Sequence, residues 1–182
     1  MRLIYLYVLA LLVFTGSVQA REEFWYAGLG GGVTFLNDKD NAFTDIDEKS
    51  NMAKAYVGYR ASTYLAFELE ADYLGKYDYS RGALEDKAEF STASLAIVVM
   101  YPLIWEDFEL YTPIAVSAIS ADYGVKSETI GGYKLGFGVA YTPTKHFSMR
   151  LGGDVTIFDL EYADITYKQQ LSTVNLSLQI NF

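Results

Sequence analysis

The sequence predicts an all-β fold, an eight-stranded antiparallel up-and-down transmembrane β-barrel behind a cleavable signal peptide. Three observations predict it. Apolar and polar residues alternate with period two through eight segments of membrane-spanning length. The connections between those segments alternate between short and long. Aromatic residues make up 16% of the chain, with 16 Tyr and 11 Phe, and they gather near the segment ends.

The N-terminus reads as an export signal. Met1 and Arg2 give a short positive start, and Leu3 to Phe14 is apolar and uncharged. Val18 and Ala20 stand at the two small-residue positions that a signal peptidase reads. A spanning helix needs roughly 20 apolar residues, and this run is shorter. Cleavage is expected after Ala20, which leaves residues 21–182 as a single barrel domain. No later segment is long and apolar enough to suggest a membrane helix.

A strand sends successive side chains to opposite faces, so a membrane barrel alternates lipid-facing and bore-facing residues. The first strand is expected over 24–35, with Trp25, Ala27, Leu29, Val33 and Phe35 outward. The second, 52–61, puts Ala53, Ala55, Val57 and Tyr59 outward. The third, 65–75, does the same with Leu65, Phe67, Leu69, Ala71 and Tyr73. The fourth and fifth, 88–101 and 108–122, are less clean, because Ala96, Val98 and Met100 are apolar on the second face too. Leu95, Ile97 and Val99, then Ile114 and Val116, are taken as outward, and a one-residue slip would reverse each assignment. The sixth, 131–142, alternates Tyr133, Leu135, Phe137, Val139 and Tyr141 with Lys134, Gly136 and Gly138. The seventh, 147–160, alternates Phe147, Met149 and Leu151 with Ser148, Arg150 and Gly152. The eighth, 171–182, is the clearest: Val174, Leu176, Leu178, Ile180 and Phe182 on one face, Thr173, Asn175, Ser177, Gln179 and Asn181 on the other.

Residues 62–64, 102–107 and 143–146 are short connections, and 36–51, 76–87, 123–130 and 161–170 are longer. Short periplasmic turns and longer outer loops are the expected asymmetry. An even number of strands leaves both termini on the periplasmic side.

Composition excludes several function classes. The absence of cysteine rules out a lipoprotein anchor, disulfides and thiolate metal sites. The net charge of −9 argues against nucleic-acid binding. No cofactor is expected.

Several segments carry a family resemblance. They are Ala27-Gly28-Leu29-Gly30-Gly31-Gly32, Val57-Gly58-Tyr59-Arg60 leading into Leu65-Ala66-Phe67-Glu68-Leu69-Glu70, and Gly136-Phe137-Gly138-Val139-Ala140-Tyr141 leading into His146-Phe147-Ser148-Met149-Arg150-Leu151-Gly152. With the terminal Phe182, they resemble the small OmpA-like outer-membrane barrels, the group that includes OmpX- and Ail-type proteins. The resemblance implies that Leu176, Leu178, Ile180 and Phe182 form the signal read by the barrel-assembly machinery. It also implies an integral place in the outer membrane, among its lipids and lipopolysaccharide, and surface-exposed loops that some relatives use in adhesion. With the chain ending at Phe182, no peptidoglycan-binding domain of the kind some relatives carry is expected.

The bore is expected to hold Lys54, Arg60, Lys134 and Arg150 against Glu68, Glu70, Asp72, Glu109 and Asp154. An eight-stranded barrel is just wide enough for its own side chains, and buried charges must pair. A salt-bridge network that plugs the bore is therefore expected, with a narrow ion path as the alternative. Arg60 and Glu68 flank the first short turn, 62–64, on adjacent strands and are expected near each other.

Other constellations are weaker. The glycines at 28 and 30–32 run into a strand and lack the helix N-terminus that a phosphate loop needs. His146-Phe147-Ser148 matches a His-x-Ser pair used by some lipid-modifying barrels, but it falls in a periplasmic turn without an orienting acid. Asp38, Asp40, Asp45, Asp47 and Glu48 make the first loop acidic, in a spacing that does not fit an EF-hand. Tyr77, Tyr79 and Arg81 in the second loop have a composition that interfaces favour. The reading is a non-enzymatic surface barrel whose outer loops meet a host or envelope ligand. The alternative is a structural or narrow-channel barrel, and a lipid-modifying enzyme is the weakest candidate.

Overall fold

The computed structural model describes residues 24–38, 44–46, 49–81, 84–103, 107–122, 127–162 and 165–182. The signal segment lies outside the described residues. Among the described residues there are nine strands: β1 Phe24–Asp38, β2 Thr44–Ile46, β3 Lys49–Arg60, β4 Leu65–Arg81, β5 Leu84–Pro102, β6 Phe108–Asp122, β7 Ser127–Thr144, β8 Phe147–Tyr162 and β9 Ile165–Asn181. Eight of them form the wall, each antiparallel to its neighbour, in the order β1-β3-β4-β5-β6-β7-β8-β9. The ring closes because β1 pairs with β9 as well as with β3. Closure removes the free sheet edge and satisfies the backbone polar groups that lipid would leave unpaired. The small β2 lies against the outer end of β4.

The alternation places each residue class where it belongs energetically. Leu29, Leu95, Tyr133, Leu151 and Ile180 are all exposed on the outside. The bore face of β9, from Gln169 to Asn181, is buried. In the two ambiguous strands Leu95, Ile97, Ile114 and Val116 face outward, while Ala96, Val98 and Met100 are buried. On β4 the apolar outward run from Leu65 to Tyr73 spans eight residue steps, about 26 Å along the strand at 3.3 Å each. A tilt of 35–45° reduces that to roughly 20 Å of height, the scale of an outer-membrane apolar band.

Rings mark the end that carries Phe24 and Phe182. Trp25 meets Tyr59 at 5.1 Å between centroids, and Phe108 stacks on Tyr141 at 4.7 Å. Phe182 is tied to Trp25 by two backbone hydrogen bonds of 3.0 and 2.9 Å, so the last residue closes the ring at this rim. Phe35, Tyr73 and Tyr133 are exposed toward the other end. Tyr123 lies outside the described residues.

The strands outrun the sequence-based bounds at the outer end. β4 and β5 pair as far as Arg81–Leu84, and β8 and β9 as far as Tyr162–Ile165. Segments expected to be loops at 76–87 and 161–170 are thus mostly ladder. Above the apolar band the outward residues turn polar and the hydrophobic alternation fades, although backbone pairing continues.

Candidate functional site: the packed bore and the outer rim

The bore is filled in layers. Nearest the termini, Arg60 forms a two-pronged pair with Glu109, Nη1–Oε2 at 2.9 Å and Nη2–Oε1 at 2.8 Å. Its remaining donors reach the carbonyls of Ser62 and Thr63 in the β3–β4 turn, at 3.1 and 2.6 Å. The expected proximity of Arg60 and Glu68 is not the pairing that forms. Register sets Arg60 opposite Ala66 and Glu68 opposite Gly58, and Arg60 turns to β6 instead.

Glu68 belongs to the next layer. Arg150 Nη1 donates to its Oε1 at 2.6 Å, and the Tyr26 hydroxyl donates to the same oxygen at 2.6 Å. The Arg150 guanidinium carbon stands 5.0 Å from the ring centroids of Tyr26 and Tyr56 and 5.2 Å from that of Tyr111. Three aromatic faces and one carboxylate surround a cation that is shut off from water. The tyrosine cage was not singled out in the sequence. Its signal is a Tyr on one strand opposite a Gly on the next: Tyr26–Gly58, Tyr56–Gly28 and Tyr111–Gly138.

A third layer crosses the middle of the bore. Lys54 lies 3.2 Å from Glu70 and 3.6 Å from Asp154. Lys134 lies 2.8 Å from Glu70 and is also bonded to Asp72. Thr92 donates to Asp72 at 3.1 Å. All nine charged residues assigned to the bore therefore face inward, drawn together from β3, β4, β6, β7 and β8.

Above the charges sits an apolar plug: Leu36, Met52, Leu74, Tyr77, Phe90, Ile119, Phe158 and Leu171 are buried against one another. Tyr77 is a correction to the sequence reading, which placed it on an exposed loop. A β-bulge between Tyr73 and Gly75, with Gly75 at φ +93°, shifts the strand by one residue. Leu74 and Tyr77 both end inside, and the Tyr77 hydroxyl donates to the Leu74 carbonyl at 3.0 Å. Tyr79 and Arg81 lie on the same hairpin, and only their backbone is described. Of the acidic first loop, Asp40, Asp47 and Glu48 lie outside the described residues, and Asp38 and Asp45 are described in backbone only.

The outward side of the β4–β5 ribbon is charged. Lys76 pairs with Glu89 at 3.0 Å and Lys87 with Asp78 at 3.0 Å. The bond to Glu89 holds the Lys76 ammonium above its ordinary pKa. These pairs are solvent-exposed, so they shape the surface more than they stabilise it.

His146 and Ser148 are not joined. His146 Nδ1 lies 3.3 Å from the Asn181 carbonyl, whereas the Ser148 hydroxyl meets Thr142 and the Asn181 amide, each at 3.1 Å. Ser148 is held in the wall by neutral partners. Leu176, Leu178, Ile180 and Phe182 form an exposed row on the outward face of β9.

The comparisons with known proteins agree with this architecture. Residues 20–182 match the OmpA-like transmembrane domain family. Outer membrane protein A of Serratia marcescens is 29% identical over 148 residues, covering 76% of this chain and 40% of the relative. The chain thus spans about two fifths of the length of that relative. Among solved structures, Neisserial surface protein A superposes with a TM-score of 0.65 at 13% identity, covering 89% of this chain and all of the neighbour. The Yersinia pestis attachment invasion locus protein Ail, in complex with the heparin analogue sucrose octasulfate, superposes with a TM-score of 0.54 at 11% identity, covering 89% and 100%.

Proposed function

This chain belongs to the OmpA-like transmembrane domain family, and on that premise we propose that it is a non-enzymatic anchor whose outer rim makes contacts at the cell surface. The protein is an integral outer-membrane barrel, embedded in the lipid bilayer. The observation that carries the surface reading is the β4–β5 ladder, which continues for seven pairs past Tyr73, from Gly75–Phe90 to Arg81–Leu84. A barrel that only fills the bilayer has no need of a ribbon standing beyond its apolar band. Rigid presentation lowers the ordering cost of binding, so a ribbon suits a contact surface better than a long coil. Ail, a neighbour of the same fold, binds a heparin analogue, which supports a ligand-binding role for such a barrel.

The second reading is a barrel that mainly supports the envelope. The layered interior favours it over a channel, because three tiers of paired charge and a plug of buried apolar side chains fill the bore. The outward row Leu176, Leu178, Ile180 and Phe182 fits the role of assembly signal, and lipopolysaccharide is the natural neighbour of the exposed rim.

The test is capture of surface partners by intact cells. The comparison is between the native protein and a variant in which residues 77–86 are replaced by an Asn-Gly turn that closes the ladder early. A second variant, Asp78→Lys, leaves the Tyr77 packing alone. Loss of capture in either variant, with the barrel still folded, supports the surface role. Unchanged capture by both would leave the envelope-support reading.

A further inference from the structure

We infer that the lipid-facing wall binds one lipopolysaccharide by an acyl chain laid in a groove that crosses β3 to β7. The site needs only the wall's place in lipid and is independent of the contacts made by the β4–β5 ribbon.

Register builds the groove. On the outward face Ala55, Ala71, Ala93, Ala118 and Gly131 are successive partners from β3 to β7, and all five are exposed. On the side toward the Phe182 rim a row of large residues stands proud of them. Leu69, Leu95, Val116 and Tyr133 are partners in the same way, and are 57%, 62%, 57% and 73% exposed. Beside that ridge the wall is set back, which leaves a recess of about 820 Å³ along Ala55, Ala71, Ala93 and Ala118. Its inner end is shut by Leu29, the partner of Ala55 and 70% exposed. Its other end is open, since a Cβ built on Gly131 meets nothing within 4 Å.

Direction chooses the occupant. Barrel strands tilt by 35–45°, so a row of partners across them climbs at roughly 45–55° to the membrane normal. The ends of the row agree: Ala55 lies five residues from Arg60 at the Phe182 rim, whereas Gly131 lies thirteen from Thr144 at that rim. At about 4.8 Å per strand the row is about 19 Å long. It therefore rises about 12 Å, half of an apolar band about 25 Å tall. A groove that starts at mid-bilayer, is closed there, and opens at the outer interface has the path of one acyl chain in the outer leaflet. In an outer membrane that leaflet is lipopolysaccharide. The flank on the outer side is Tyr73, Ser91, Ser120 and Thr129, again in register. Hydroxyls on a lipid-facing wall need polar partners, and the amide and hydroxyl groups at the root of a glycolipid's chains supply them. A second copy does not fit. Turned about an axis along the membrane normal, it presents a groove of the same slant. Two such grooves cross when they face each other, and most of each stays unfilled.

The experiment places the full barrel in nanodiscs of phosphatidylcholine with added lipopolysaccharide. Native mass spectrometry then counts the lipid that stays on the barrel as the disc is stripped away. Expected is one lipopolysaccharide on the native barrel and severalfold less on Ala93→Leu/Ala118→Leu, whose side chains fill the groove. Val174→Leu, on the lipid-facing side of β9, is the control and should retain it as the native barrel does. Heat-modifiable migration on gels checks that each variant is folded. A second measurement needs no variant and decides alone if the leucine pair does not fold. With protonated lipopolysaccharide in deuterated phospholipid, NMR cross-peaks from its acyl chains should be strong at the methyls of Ala71, Ala93 and Ala118 and weak at those of Leu178. Equal retention by the filled variant overturns the groove. So do cross-peaks spread evenly over the wall, which mean ordinary annular lipid. Retention of phosphatidylcholine in place of lipopolysaccharide overturns the assignment of the occupant.

Discussion

The ring of Tyr56 lies over Gly28, its register partner on the next strand, so closely that a Cβ at position 28 would fall 2.2 Å from the ring Cζ. The arrangement is reciprocal. Tyr26, two residues before Gly28, covers Gly58, where a Cβ would fall 2.4 Å from the ring. Tyr111 likewise lies over Gly138 and Gly152. Glycine is needed at these positions for space, because each missing Cβ is where a ring rests. The rings so placed are the three that face Arg150.

Gly28→Ala is expected to destabilise the barrel by about 1–3 kcal/mol, the usual cost of forcing extra atoms into a filled interior. Gly58→Ala should behave alike, since the same pair of strands carries both rings. Gly131→Ala is the control. Nothing lies near its Cβ, and replacing a strand glycine with alanine should be neutral or stabilising by roughly 0.5 kcal/mol. Urea unfolding in lipid vesicles, followed by tryptophan fluorescence, measures all three. Equal midpoints for the variants at 28 and 131 would refute the packing argument.

Arg150→Met removes the cation that Glu68 and three rings enclose. The buried carboxylate then keeps the Tyr26 hydroxyl but loses its bonded cation, and breaking a buried pair on one side costs about 3–5 kcal/mol. Glu68→Gln/Arg150→Met removes both charges and should recover a good part of that loss. A double-mutant cycle on unfolding free energy gives the coupling. A double variant no better than Arg150→Met alone would show that the cage matters through its rings and not through the ion pair.

The lipid-facing assignment has a depth-dependent consequence. Leu135 is 58% exposed in the middle of the apolar band. Leu135→Arg is expected to cost about 2–4 kcal/mol, as arginine does near the midplane. Thr129, on the same face of β7 but above the band, should tolerate arginine for roughly 0–1 kcal/mol. The same unfolding assay in vesicles separates them, and similar costs at both positions would place the band wrongly.

Much of this architecture was legible in the residues, and the limits of legibility are physical. Hydrophobic alternation reports a difference between two environments. It was therefore strongest at Val174 to Phe182, where one face meets lipid and the other Asn, Ser and Gln. It was weaker at Ala96, Val98 and Met100, because an apolar stretch of bore resembles lipid. The nine charged bore residues could be assigned by parity alone, but their partners could not. Arg60 reaches Glu109 on β6, and Arg150 reaches Glu68, 82 positions away, because barrel curvature and side-chain length decide which groups meet. The most consequential miss was Tyr77. Parity beyond Tyr73 would set it outward, and one extra residue in the ladder set it inward.

That extra residue gives the last expected outcome. Gly75 sits at φ +93°, a conformation that side chains rarely adopt, and a Cβ there would fall 2.1 Å from Ser50 Oγ and 2.6 Å from the Asn51 carbonyl oxygen. Ser50 also accepts the backbone N–H of Lys76 at 3.0 Å, which fixes the chain just past the bulge. Gly75→Ala must either strain the backbone, at a cost of about 1–3 kcal/mol, or give up the bulge. Giving it up would restore parity and turn Tyr77 out of the plug, leaving a gap beside Leu74 and Phe90. Either way the ribbon above the bulge should loosen before the barrel does. Hydrogen exchange is expected to show faster amides over residues 76–81 and 84–89 in Gly75→Ala, with rates at Leu65–Asp72 unchanged. Uniform acceleration along β4 would mean that the bulge is part of the barrel's global stability and not a hinge at the base of the ribbon. Unchanged rates throughout would mean that Gly75 is replaceable and that the inward turn of Tyr77 has another cause.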